Sequence, residues 1–201
     1  SPGNFYPVLA RWLVDRYAEP GTTVVDPCAG FGGRLLGALC SNKTVRYVAY
    51  DSSKAAVEGL RKLATDVSCR LGDKLERASV MCAQAEKKEW PVCSFVFTSP
   101  PYYDAELYEG ETQSVLKYRS YEEWKGNFLR VLFVRACKAL TAGGRFALVV
   151  RDVLRRKQQY PLEADTVRLS EEAGFMLDSV FELARIGAAK RSEKLFVFRR
   201  P

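Results

Sequence analysis

The 201-residue chain contains no histidine and two methionines, and none of its six cysteines forms a CxxC pair. Without imidazole, the commonest general base and the Ser-His and Cys-His nucleophile systems are excluded. Thiols as scattered as Cys28, Cys40, Cys69, Cys82, Cys93 and Cys137 offer no zinc site, so no metal is expected. Buried, reduced thiols are expected instead, and they point to an intracellular compartment, cytoplasmic or nuclear. Long apolar runs are missing too: 145–150 and 95–97 with their neighbours are far too short to cross a bilayer. The start, SPGNFYP, has no initiator Met and no basic-then-apolar leader, and reads as a soluble domain cut from something longer.

What is present is an apolar, basic chain: 47% hydrophobic, 31 Lys+Arg against 24 Asp+Glu, formal charge +7. That length suits one domain, residues 1–201, around one core. A positive field attracts polyanions, which makes nucleic acid the expected partner. Short β-rich runs alternate with helical stretches, the pattern of βαβ units around a parallel sheet. The expected fold is α/β and Rossmann-like, with helices on both faces of a mostly parallel seven-stranded sheet. Strands are expected at 23–26, 45–50, 79–83, 94–98 and 145–150, with 176–185 and 194–199 as an antiparallel edge hairpin. Helices are expected at 5–17, 33–40, 53–66, 121–140 and 164–173, the third capped by Ser52-Ser53.

The strongest local motif is VVDPCAGFGGR, 24–34. A strand ends in an acid and a glycine-rich turn opens a helix, at the carboxyl edge where open α/β sheets bind ligands. Gly30, Gly32 and Gly33 tolerate unusual φ and close ligand approach. Asp51, ending the second strand, can accept both hydroxyls of a ribose. AGFGGR preceded by Asp26-Pro27-Cys28-Ala29 is not GxGxxG. It suits a cofactor with a cationic amino-acid tail, Asp26 meeting the ammonium directly or through water. Gln84, followed by Ala85, offers a donor and an acceptor to an adenine edge. A bare βα turn and a solvated loop amide are the competing readings.

The fourth strand leads into Thr98-Ser99-Pro100-Pro101-Tyr102-Tyr103-Asp104. Two prolines stiffen this turn and remove two N–H donors. The Ser99 hydroxyl and Pro100 carbonyl can then accept both hydrogens of an exocyclic amine, freeing its lone pair, while Tyr102 stacks on the base. Such chemistry relies on positioning and needs no histidine.

The DPCAGFGG turn, Asp51 and SPPY together resemble class I S-adenosylmethionine (SAM)-dependent amino-methyltransferases of the (D/N/S)PP(Y/F/W) type. The similarity is to phage and bacterial DNA methylases acting on adenine N6 or cytosine N4, and it spans nearly the whole chain. It implies SAM as cofactor, held by Asn4, Phe5, Tyr6 and Pro7 in a covering N-terminal segment. It also implies cofactor contacts from Asp26, Pro27, Cys28, Ala29, Gly30, Gly32, Asp51, Ser52, Gln84, Ala85 and Ser99. Ser99, Pro100, Pro101 and Tyr102 would be catalytic. The order of motifs is not permuted, and no segment is long enough for a separate target-recognition domain; a fused element or a partner would supply one, or specificity would be low. DNA is the first expected substrate. RNA, including mRNA or its cap, is the second, a non-catalytic subunit guiding a partner the third, and a glutamine-amide methyltransferase the last.

Substrate contacts are expected from Tyr102 and Tyr103, from the 104–119 loop through Tyr108, Lys117 and Arg119, and from the cations Arg151, Arg155, Lys190 and Arg191. A plain surface loop and solvated charges compete with that reading.

Overall fold

The computed structural model describes residues 5–72, 77–103, 118, 120–155, 157–183 and 193–201. Seven strands form the main sheet: β1 (Thr23–Asp26), β2 (Arg46–Asp51), β3 (Ala78–Cys82), β4 (Cys93–Thr98), β5 (Leu140–Val150), β8 (Met176–Leu183) and β9 (Glu193–Arg199). Their order is β3-β2-β1-β4-β5-β9-β8. The first five are parallel, and β9 is antiparallel to both β5 and β8. The chain steps outward from β1 to β2 and β3, then returns to β4 on the other side of β1. The carboxyl ends of β1 and β4 therefore flank the crevice where such sheets take ligands.

Every residue of β1 and β4 is buried, and each carries an apolar centre, Val24-Val25 and Phe95-Val96-Phe97. Alternate residues feed two cores. Helices α1 (Pro7–Tyr17), α2 (Gly33–Leu39) and α3 (Lys54–Leu71) cover Val24, Phe95, Phe97 and Val149. The other face, with Val25, Val96, Phe146 and Leu148, lies under a composite helix and α6 (Leu162–Glu172). The composite helix consists of α4 (Tyr121–Trp124), a π-helical turn (Lys125–Leu129) and α5 (Arg130–Ala139). Ser53 caps α3 by accepting from the Ala56 amide at 3.3 Å, as its position suggests. No helix among the described residues is long and apolar enough to cross a membrane.

Three local features differ from the sequence expectation. A small hairpin, β6 (Val153–Arg155) and β7 (Gln158–Tyr160), follows β5. The 121–140 helix is interrupted by its π turn. β5 starts at Leu140 and runs through Gly143-Gly144, because the Arg200 backbone bonds both glycines at 3.0 Å and carries the sheet outward.

Candidate active site

β1 delivers Asp26 to the crevice with no exposed surface. Its Oδ2 accepts from Arg34 Nε at 2.6 Å and from the Tyr47 hydroxyl at 2.5 Å. Its Oδ1 accepts from the Thr98 hydroxyl at 2.9 Å and the Cys28 amide at 3.2 Å. Four protein donors surround the carboxylate, so Asp26 braces the glycine turn. Burial pulls the Arg34 pKa down most strongly, but the charge of Asp26, the neighbouring Tyr47 and the Asp26 hydrogen bond together turn the net shift upward. Burial, then the same charge, pushes the Tyr47 hydroxyl well up and keeps it a neutral donor. Arg34 also donates to the Cys28 carbonyl, and its guanidinium lies 5.5 Å and 5.9 Å from the ring centres of Phe5 and Phe97. Those rings meet edge to face at 4.8 Å, which pins the segment leading into α1 across the root of the turn.

Within the turn, the Gly30 amide donates to Asp51 Oδ2 and the Ser53 amide to Asp51 Oδ1, each at 2.9 Å. Burial raises the Asp51 pKa, and these two amides partly offset it. Each Asp51 oxygen keeps acceptor capacity beyond its backbone bond. Gly30 has φ +59°, and among the described residues a Cβ there would make ordinary contact with the Cys28 carbonyl at 3.9 Å and Arg34 Nη2 at 4.0 Å. Its left-handed backbone is what favours glycine. Gly32 differs: at φ +91° its missing Cβ faces Leu63 Cδ2 at 2.7 Å, so this glycine serves the packing of α3. Pro27 and Ala29 are buried, and the Ala29 amide is committed to the Tyr50 carbonyl at 3.0 Å. Cys28 is half-buried. Burial first, then the charges of Asp26 and Asp51, push its thiol well up, so it stays protonated and non-nucleophilic.

At the end of β3, Gln84 is half-buried, and its Oε1 is buried with no hydrogen-bond partner among the described residues. Ala85 serves the core, its carbonyl accepting from Trp90 Nε1 at 3.0 Å. Ser52 is half-buried beside Asp51.

β4 carries Ser99, half-buried, Pro100, buried, and Pro101, half-buried, to the same edge. Tyr102 is 3% exposed; its hydroxyl donates to Glu193 Oε1 at 3.1 Å, and the Arg151 guanidinium lies 5.6 Å from its ring centre. The expected open stacking platform is instead a wall whose ring is covered by an arginine. Tyr103 is half-buried. It packs among Tyr160 at 5.1 Å, Tyr121 at 5.3 Å and Trp124 at 5.8 Å, anchoring the turn. Of the N-terminal residues, Phe5 reaches the site's root, Tyr6 is 66% exposed and Pro7 opens α1. Asn4, Tyr108, Lys117, Arg119, Lys190, Arg191 and the Arg155 side chain lie outside the described residues.

Sequence reasoning missed Arg34, Tyr47, Thr98 and Glu193. One signal was available for Arg34: a cation in the first turn of a helix opposes the dipole and needs a carboxylate nearby.

No protein-family model matches the chain, and no curated protein matches it. Solved structures do. TrmN from Thermus thermophilus aligns over 100% of this chain and 50% of its own, at 21% identity and TM-score 0.67. The present chain thus spans half of TrmN's length. The glycopeptide N-methyltransferase MtfA, crystallised with SAM, aligns over 100% of this chain and 89% of its own, at 16% identity and TM-score 0.66. The [4+2]-cyclase SpnF aligns over 97% and 81%, at 12% identity and TM-score 0.65. A cyclase among methyltransferases means that the architecture alone does not name a reaction. The chain has the Rossmann-like class I methyltransferase fold.

Proposed function

We propose that the chain is a SAM-dependent methyltransferase acting on the exocyclic amine of a nucleic-acid base, adenine N6 or cytosine N4, in DNA. The observation that carries this reading is the meeting of two motifs at one edge: SPPY leaves β4 beside the glycine turn of β1, tied to it through Thr98 and Asp26.

The residues present fit SAM. Gly30 leaves room where a Cβ would otherwise stand. Asp51 is held by two amides with acceptor sites to spare for ribose hydroxyls. The unpartnered Gln84 Oε1 is an acceptor waiting for a donor, and the adenine amino group is one. Asp26 is neutralised by Arg34, while Asp51 and Glu86 add negative charge around the turn, which suits a cationic ligand. When bound, SAM supplies a methyl group already activated by its positive sulfur.

The chain's own residues then do positional work. The Ser99 hydroxyl and Pro100 carbonyl accept the two hydrogens of the target amine and orient its lone pair. Tyr102, braced by Glu193, forms the wall against which the base lies, and the base takes the face now covered by Arg151. Arg151, once displaced, is free to meet a phosphate. With Cys28 held protonated and no histidine in the chain, no covalent relay through the protein is needed.

The test is methyl transfer from labelled SAM to separate DNA and RNA pools, followed by nucleoside mass spectrometry. Label on N6-methyladenine or N4-methylcytosine of DNA supports the proposal. The same products from RNA alone would change the polymer, and label on neither amine would overturn the chemistry.

A further inference from the structure

We propose that Thr98 is a positioning residue that sets the amine-binding turn in register with the cofactor turn. This rests on the methyltransferase reading above.

β1 and β4 run side by side through the pairs Val24↔Phe95 and Val25↔Val96. Each strand then gives rise to one of the two functional turns. Past the Val25↔Val96 pair, the tie between those turns is made by side chains. Thr98, fully buried at the end of β4 and next to Ser99, donates its hydroxyl to Asp26 Oδ1 at 2.9 Å. The same oxygen accepts the amide of Cys28 at 3.2 Å, inside the glycine turn. One carboxylate oxygen therefore senses both turns at once. The other, held by Arg34 and Tyr47, keeps it from rotating away.

Packing alone does not ask for a hydroxyl here. Valine has the same branched shape and would suit a wholly buried strand end without a polar group to satisfy. The hydroxyl is explained by what it holds. A shift of Ser99 relative to the turn would stretch the Thr98–Asp26 bond, and a shift of the turn would stretch the Cys28–Asp26 bond. Methyl transfer needs the donor and the amine aligned to within a fraction of an ångström, so this shared acceptor governs the rate more than the affinity.

The test compares Thr98→Val and Thr98→Ser with the parent chain. Calorimetry gives SAM affinity, single-turnover assays give transfer to the nucleic acid on which the parent acts, and hydrogen exchange follows the amides of 28–34. Thr98→Val is expected to bind SAM within about threefold of the parent, to transfer methyl on the order of a hundredfold more slowly with substrate KM little changed, and to exchange its turn amides roughly tenfold faster. Thr98→Ser, which keeps the donor, is expected to restore all three. Parental turnover in Thr98→Val, or no rescue by serine, would overturn the proposal. So would a fall in Tm and SAM affinity that leaves the SAM-loaded fraction at parental speed. Should the valine chain not fold, Thr98→Ala is judged by the same readouts. Should the parent itself methylate no nucleic acid, the functional reading fails on its own. Thr98 is then judged by exchange: faster turn amides in valine but not serine uphold its role, and unchanged amides end it.

Discussion

Arg34 and Asp26 form a 2.6 Å ion pair whose side chains are 6% and 0% exposed. Removing one partner of such a pair strands a buried charge, which costs about 3–5 kcal/mol. Arg34→Met is therefore expected to lower the unfolding free energy by about that amount in urea titrations. A drop under about 1 kcal/mol, the value of an exposed pair, would show that water reaches Asp26.

Asp51 provides a pH signature. Burial raises its pKa, so the free chain carries this carboxyl protonated to higher pH than an ordinary aspartate. The raised value favours folding at acid pH, and that contribution is lost as pH rises through the folded pKa. Ribose hydroxyls need the ionised form. SAM affinity is thus expected to be greatest above that pKa and to fall as pH drops through it. Asp51→Asn should flatten the profile, and Asp51→Ala should weaken binding at neutral pH by about tenfold or more. Calorimetry across pH checks both, and an unaltered slope in the asparagine variant would remove Asp51 from the ribose role.

Gln84 is expected to show opposite effects in the free and loaded chain. Its buried Oε1 has no partner among the described residues, so Gln84→Met relieves an unsatisfied acceptor. The free variant should be as stable as the parent or more so, by up to about 1 kcal/mol, while SAM binds roughly five- to tenfold more weakly. Thermal melts with and without SAM measure both; equal affinity would mean that the adenine edge lies elsewhere.

Tyr102 separates ring from hydroxyl. Tyr102→Phe keeps the ring and removes the hydroxyl that bonds Glu193 at 3.1 Å, so transfer should fall a few-fold at most. Tyr102→Ala removes the ring and should slow transfer by about ten- to a hundredfold, with SAM affinity intact. Full turnover in the alanine variant would refute a base-stacking wall.

Gly37 tests the seating of α1. A Cβ there would meet Ala10 Cβ at 2.4 Å, the Pro7 carbonyl at 2.5 Å and the Arg11 amide at 2.7 Å. Gly37→Ala should destabilise the chain by about 1–3 kcal/mol or more through overpacking, read in urea titration. Neutrality would mean that α1 can slide.

The sheet was legible because its central strands are buried on both faces and its motifs sit at strand ends. Val24-Val25 and 95–97 announce themselves locally. The β6–β7 hairpin did not. Its turn uses Lys157 at φ +69° where a glycine or asparagine would have signalled it, and its strands are three residues each. Asp26 was found by motif, but its protein partners were not. Arg34, Tyr47 and Thr98 lie 8, 21 and 72 residues away, and only folding brings them to its two oxygens. The packing of Tyr103 was hidden for a related reason: its aromatic neighbours are supplied by α4 and β7.

The π turn at 125–129 gives the composite helix one residue more than regular winding requires. Upstream of it, Tyr121 reaches Asp165 at 2.7 Å; downstream, Leu132 and Phe133 fill the core. Excising a single residue between them would let the coil wind evenly and leave both flanks in the same angular phase. Losing that one residue is therefore the cheapest change of length in this stretch, and a shorter natural variant would keep the tyrosine–aspartate latch on an uninterrupted rod.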